Sequence, residues 1–197
     1  MIKLHKRSIV LSTAIVISLL LLGCSTERAK IAVVAEYEQT FDKHQIDSLL
    51  SLFSDDAEVE FVGMGPVLTG KEMIAEKARY DSVLDAQITI HIDLVKRDTV
   101  FATAVETDNW LSRAGLPPSV YSPVMFVISK GKITDLQAQL SDSSVTAINH
   151  IMQNLIPWAQ SNEPDKLNEL LPQGAFSYSV KSANLSLELL KDWQNRN

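Results

Sequence analysis

Residues Gln87 to Leu140, QITIHIDLVKRDTVFATAVETDNWLSRAGLPPSVYSPVMFVISKGKITDLQAQL, decide the fold, because they hold four strand-like runs in succession. The runs are Gln87 to Lys96, Thr99 to Leu111, Val120 to Ser129 and Lys132 to Leu140. Each is rich in the β-branched and aromatic residues that fit a pleated surface. Asp98, the Gly115-Leu116-Pro117-Pro118 stretch and Lys130-Gly131-Lys132 separate them, and such short breaks pair neighbouring strands antiparallel. In the first run Ile88, Ile90, Ile92 and Leu94 share one face, predicted to be buried, while His91 and Asp93 share the other.

Upstream of the runs, Val34, Tyr37 and Phe41 recur at helical spacing, and Ile46, Leu49, Leu50 and Phe53 resume the pattern after Asp42-Lys43-His44-Gln45. This predicts two consecutive amphipathic helices with a bend. Ala57, Val59 and Phe61 alternate with Glu58, Glu60 and Val62 as a short strand before the Gly63-Met64-Gly65-Pro66 turn. Thr69 and Glu72 have the spacing of a capping box, which opens a helix to about Leu84. Downstream, Ser141, Asp142 and Ser143 offer caps to a helix carrying Val145, Ile148, Ile151 and Leu155, with Pro157 as its kink or stop. Pro164 starts a short helix, and Leu185, Leu189 and Trp193 mark a last one. The order predicts an α+β fold, with helices on one face of a curved sheet and a cavity between.

The chain has 197 residues, 46% of them hydrophobic, with a net charge of −6 and a single cysteine. One cysteine excludes an internal disulfide framework and a cysteine-based zinc site. An acidic balance argues against nucleic acid as a partner, since a phosphate-backbone reader needs a basic surface.

Lys3, Lys6 and Arg7 precede an uncharged, mostly apolar run from Ile9 to Leu22. At 14 residues it is short for a membrane span, which needs about 20, but suits a secretory signal peptide. It ends in Leu21-Leu22-Gly23-Cys24-Ser25, which resembles a bacterial lipoprotein box in which Gly23 precedes the scissile bond and Cys24 becomes the lipidated first residue. Cleavage removes three cations and no anion, so the net charge moves from −6 to −9. The acyl chains would then hold the body through their buried CH₂ groups. The expected layout is a signal peptide over 1–23, a tether over 24–30, an α+β domain over 31–142 and a C-terminal helical extension over 143–197. The expected location is the bacterial cell envelope; Ser25 after the cysteine, rather than Asp, resembles the outer-membrane sorting pattern.

Three stretches carry a resemblance: Tyr37 to Glu60 (YEQTFDKHQIDSLLSLFSDDAEVE), Leu68 to Ile74 (LTGKEMI) and Pro123 to Leu136 (PVMFVISKGKITDL). They resemble the nuclear transport factor two-like superfamily and, within it, the SnoaL-like proteins. The resemblance implies a cone-shaped curved antiparallel sheet packed on the N-terminal helices, the nuclear transport factor two-like or cystatin-like arrangement. His44-Gln45 departs from the Gly-Asp that the family often has before its second helix, removing a good N-cap. The superfamily's ketosteroid isomerases use a tyrosine and two acids. Tyr37 matches the tyrosine, but Phe61 and Val124 stand at the acid positions and neither can move a proton. Its limonene-epoxide hydrolases use an arginine and two aspartates to activate water. Asp108 matches one aspartate, whereas Glu106 takes the arginine's place and the last aspartate falls near Ala138.

Glu106, Asp108 and Trp110 alternate along the second run, so they are expected on one strand face turned toward the cavity. Two carboxylates in a partly dry pocket can share a proton and hold a basic or hydroxylated ligand beside the Trp ring. On a solvated strand end they would be ordinary surface charges. Tyr37, Phe61 and Val124 complete the expected ligand-binding set. His91 with Asp93 would make an oriented base only if their face were the inner one. His150 has no metal-ligand spacing, and no metal or cofactor is expected. Tyr121 can present a hydroxyl to the cavity or only satisfy the core, and Trp158 and Trp193 read as packing residues.

Two functions follow. One is a noncatalytic, membrane-anchored protein whose cavity binds a small apolar or amphipathic ligand, or whose outer sheet face binds a protein, including a second copy of the chain. The other is a cofactor-free isomerase, cyclase or hydrolase with Glu106 or Asp108 as general base. The address has its own test. Cys24→Ser should give a protein that keeps its signal segment and carries no acyl chain, read by intact mass and membrane partitioning.

Overall fold

The computed structural model describes residues 27–195; the predicted signal segment and Cys24 lie outside them. Helix α1 occupies 27–42, so residues 27–30, expected in the tether, are already helical. It buries Val34, Tyr37 and Phe41 along one face. His44, at a φ of 51°, makes the bend before α2 (Ile46–Ser51), whose N-cap Gln45 makes no side-chain capping bond. Phe53 does not close the helix: it opens strand β1 (Phe53–Phe61), paired with Ile133. After β2 (Leu68–Thr69) comes α3 (Gly70–Leu84). Thr69 is its N-cap but makes no side-chain capping bond, so the predicted capping box does not form.

The four runs become β3 (Gln87–Lys96), β4 (Thr99–Thr107), β5 (Ser119–Ser129) and β6 (Lys132–Leu140). Strand β4 stops at Thr107 rather than Leu111 because Asp108 caps a short helix, α4 (Asn109–Arg113), accepting from the Leu111 N–H at 2.7 Å. The sheet order is β2-β1-β6-β5-β4-β3. Neighbours are antiparallel except β1 and β6, which run parallel. The inner face carries Ala57, Val59, Val100, Ala102, Ala104, Val124, Phe126 and Ile133, packed with α1 and α3 residues into one core. In β3, Ile88, Ile90 and Ile92 pack against that core as expected, with His91 and Asp93 exposed opposite them. Leu94 departs from the pattern and is 51% exposed, because the register shifts between Ile92 and Leu94 and Val95 takes the inner position.

The remaining chain is helical: α5 (Asp142–Asn162), α6 (Pro164–Leu170), a 3₁₀ turn (Pro172–Gly174) and α7 (Val180–Gln194). Pro157 neither ends nor splits α5; it sits inside the helix on its exposed side. Ser141 caps α5 through Ser144, whose own hydroxyl accepts from the Val120 N–H at 3.0 Å and so ties the helix to β5. Ser179 and Ser182 form a capping box at α7. These helices bury Leu155, Ala159, Leu167, Leu170, Leu185 and Leu189 in a second core that reaches Trp110 and Phe176, and α7 packs on α3. Among the described residues no helix is long and apolar enough to cross a membrane.

Leu189 is 1% exposed at the centre of the second core. Leu189→Ala should therefore cost about 2–5 kcal/mol. Urea unfolding followed by tryptophan fluorescence and by circular dichroism should show one shared transition shifted to lower midpoint.

Candidate functional site

Alternation along β4 puts Val100, Ala102, Ala104 and Glu106 on the inner face, and the two alanines leave space in front of the glutamate. Across that space stands α3. Its apolar face runs through Ile74 and Ala78, and the same face carries Asp81, seven residues after Ile74, with Lys77 beside it. The Lys77 ammonium contacts both Asp81 carboxylate oxygens, at 2.5 and 2.6 Å. It also lies 4.9 Å from the ring centre of Phe61, 5.1 Å from that of Tyr178 and 5.9 Å from that of Tyr80.

The cavity splits at this cluster. An inner chamber of about 40 Å³ is lined by Tyr37, Val124 and Phe126 among others. An outer chamber of about 270 Å³ lies between the sheet, α3, α4 and the C-terminal helices. Phe61, Lys77, Asp81, Glu106 and Tyr121 line both. The outer chamber adds Asp108, Trp110, Tyr80 and Tyr178, with Met152, Leu155, Ile156, Leu167 and Leu189 as its apolar wall. Phe176, Tyr178 and Tyr80 meet edge to face, with ring centres 5.2 to 5.7 Å apart. Phe61 also packs at 6.3 Å from Tyr121 and 6.2 Å from Tyr178.

The predicted site residues thus separate. Glu106, Asp108, Trp110 and Phe61 meet at the outer chamber, whereas Tyr37 and Val124 belong to the small inner one. Glu106, Asp108 and Trp110 do not share a strand face, since Asp108 and Trp110 lie on the cap and first turn of α4. The polarity expected at Glu106, Asp108 and Tyr37 is joined by Lys77, Asp81, Tyr80 and Tyr178, which the sequence reading passed over. The i, i+4 placement of Lys77 and Asp81 on the Ile74 face was a legible signal; Tyr178, in an irregular segment, gave none. His150 is exposed on α5, and Trp158 and Trp193 pack in the second core.

Burial pushes the Glu106 carboxyl up to about 7, with Lys77 pulling down, Asp81 and Asp108 pushing up and a Tyr121 hydrogen bond lowering it. Asp108 is raised by burial against the backbone N–H bonds of Leu111 and Trp110. Burial works against the Lys77 charge, but Asp81 and Glu106 outweigh it and the ammonium persists. The hydroxyls of Tyr37, Tyr80, Tyr121 and Tyr178 are all raised, chiefly by burial, and stay neutral. One carboxyl able to exchange a proton near neutral pH therefore faces an apolar chamber. Among the described residues no His, Cys, Asp and Glu cluster has the grouping of a metal site.

No family model matches the sequence, and no curated protein matches it as a relative. Solved structures do match. A candidate ketosteroid isomerase from Kribbella flavida superposes with a TM-score of 0.50 at 15% identity, covering 58% of this chain and 79% of that one. SalBIII, an epoxide hydrolase/cyclase-like enzyme of pyran ring formation in the polyether salinomycin, gives 0.52 at 17% identity, covering 60% of this chain and 95% of the other. The chain shares the fold of these two proteins, a curved sheet packed on N-terminal helices, and carries additional C-terminal helices.

A carboxyl whose folded pKa is raised binds its proton more tightly when folded, so its contribution to stability falls as pH rises from its ordinary 4.5 through about 7. Glu106→Gln should remove that slope, at most about 1.4 kcal/mol per pH unit. Urea midpoints from pH 5 to pH 8 check it: the variant should overtake the parent at the alkaline end.

Proposed function

We propose that this chain is a lipid-anchored cell-envelope protein whose outer chamber takes up a small amphipathic molecule, apolar in bulk and bearing one amine or hydroxyl that reaches Glu106. The observation that carries this reading is the division of the chamber's lining. Aliphatic side chains of α5 to α7 with the Trp110 ring make up its apolar part, and Glu106, Asp81, Asp108 and Lys77 supply its charged part. At about 270 Å³ the chamber sits near the lower end of the roughly 300–1,000 Å³ range of small-molecule sites. A ligand there would be held by buried apolar area, at about 25 cal/mol per Å², and oriented by a few polar groups. Three carboxylates against one committed ammonium favour a cationic or hydrogen-bond-donating head over an anionic one. The envelope address rests on the Leu21-Leu22-Gly23-Cys24 motif behind a basic, apolar leader.

A second reading has one observation in its favour. A Glu106 carboxyl near 7 is matched to general acid–base work, and the apolar chamber would let it take a proton from a bound carbon acid or hydroxyl. Fold likeness to SalBIII and to the Kribbella protein adds no residue to that reading.

Phenylnaphthylamine, a neutral apolar dye with one N–H, tests the first reading. Its fluorescence should rise on binding, and Ile156→Trp, which fills the chamber, should weaken binding at least about tenfold. No uptake by the folded parent would refute the proposal. For the second reading, deuterium exchange into a bound enolisable cyclic ketone, lost in Glu106→Gln while dye binding persists, would establish an acid–base function.

A further inference from the structure

The lipid-anchor reading has a spatial consequence, because α1 is pinned at both ends. Near its start, Lys30 Nζ donates to the carbonyl of Arg97 in the β3–β4 turn. At its end, Asp42 Oδ1 accepts from the Ile88 N–H at 2.8 Å and the Asp42 carbonyl accepts from Gln87 Nε2 at 3.0 Å. Gln87 pairs with Thr107, next to Glu106, so this end of the helix lies at the end of β4 from which Asp108 and α4 lead into the lining of the outer chamber. A helix over 27–42 is about 24 Å long. The start of α1, tied to the β3–β4 turn, and the end of β4 that borders the outer chamber are therefore opposite ends of the β3–β4 hairpin. Cys24 precedes residue 27 by three residues, which reach about 11 Å at most. On the lipid-anchor reading, an acyl chain on Cys24 would enter the membrane on the side of the β3–β4 turn, away from the outer chamber.

That pole has its own chemistry. The β5–β6 turn adjoins the β3–β4 turn, with Ile128 N–H donating to the Asp98 carbonyl at 2.8 Å. Lys132 Nζ donates to the Ser51 carbonyl at the end of α2. The pole thus gathers Arg28, Lys30, Lys96, Arg97, Lys130 and Lys132 on a chain whose overall balance is acidic. Facing them are Glu27 and Asp98, with Asp56 and Asp55 on the flank, the latter already paired with Lys71 at 2.8 Å. Ile31 and Leu94 are 39% and 51% exposed on the same elements. Basic side chains interleaved with exposed apolar ones, beside an acylated residue, make a surface suited to anionic headgroups.

We infer that the pole formed by the start of α1 and the β3–β4 and β5–β6 turns docks on an anionic phospholipid surface, which sets the outer chamber away from the bilayer. The inference rests on the lipid-anchor reading and adds an orientation to it. It also replaces the expectation that acyl chains alone hold an acidic body, since the charge that meets the headgroups is local and positive. Each cation at such a surface strengthens attachment about fivefold.

The test uses the full-length lipidated protein, with Ser129→Cys at the basic pole or Gln173→Cys in the turn before α7, each labelled with a fluorophore. Vesicles of phosphatidylcholine, with or without abundant phosphatidylglycerol, carry a headgroup quencher. On phosphatidylglycerol vesicles the Ser129→Cys label should be quenched several-fold more than the Gln173→Cys label, and high salt should remove the difference. The combined Lys96→Glu, Arg97→Glu and Lys130→Glu protein should lose it while still sedimenting with vesicles. Equal quenching at both labels on a protein that sediments would overturn the orientation and leave the anchor standing. Failure to sediment with either vesicle would overturn the anchor and the orientation together. Because the salt response is read on the parent, the result does not depend on the charge-reversed variant folding.

Discussion

The Lys77–Asp81 ion pair is the constraint around which the rest of the interior is arranged. Both groups stand on the face of α3 that Ile74 and Ala78 bury, with side chains only 13% and 6% exposed. Two charges taken out of water cost several kcal/mol each unless geometry and neighbours compensate. The compensation is visible: paired contacts at 2.5 and 2.6 Å, and three aromatic rings around the ammonium. A polar cluster of this kind cannot be packed shut by aliphatic side chains, so the cone stays open at this level.

Covering that opening falls to the C-terminal helices. Tyr178 and Phe176 reach across to Tyr80 and Phe61, and Tyr80 also shares a side-chain hydrogen bond with Ser186 of α7. The extension therefore supplies both the apolar wall of the chamber and two of its rings. Solved structures with the same cone match only 58% and 60% of this chain, so their sites say little about a chamber walled by α5 to α7. Glu106 lines the chamber these helices wall, and burial is the first cause of its raised carboxyl.

How far the sequence could be read follows from where the information sits. Strands β3 to β6 and their antiparallel order were legible because alternation and turn residues are local signals. The parallel pairing of β1 with β6 was not, since contact between Glu58 and Asp135 depends on topology. The end of β4 was misplaced because Asp108 fits a strand alternation as well as an N-cap, and its bond to Leu111 decided between them. Thr69 shows the reverse case, a capping-box spacing whose side chain makes no capping bond. In the site, Glu106 followed from the period of the strand. Lys77 and Asp81 were overlooked because charged residues on a helix are ordinarily read as its solvated face. Tyr178 was out of reach, since an irregular segment has no periodicity to aim its side chain.

The two ends of α1 connect the site to the proposed address. Lys30 fixes the end nearest Cys24 to a basic pair of turns, and Asp42 fixes the other end beside the strand that carries Glu106. If the first end faces the headgroups, the chamber lies away from the bilayer, and a ligand would reach it through water. A chamber of about 270 Å³ agrees with that direction, being far too small for a diacyl lipid drawn from the membrane beneath it. It suits a molecule soluble enough to diffuse and apolar enough to prefer the aliphatic wall of α5 to α7. Such a molecule needs a polar head, and Glu106, whose carboxyl is pushed up to about 7, stands where that head would rest. A cationic or hydroxyl-bearing head is then held most firmly once Glu106 is ionised, so capture should strengthen as pH rises through about 7, while the fold itself loses the contribution of the protonated acid. On the proposed reading, binding and stability would be set against each other at one side chain, as expected where a buried carboxyl is kept for a ligand rather than for packing.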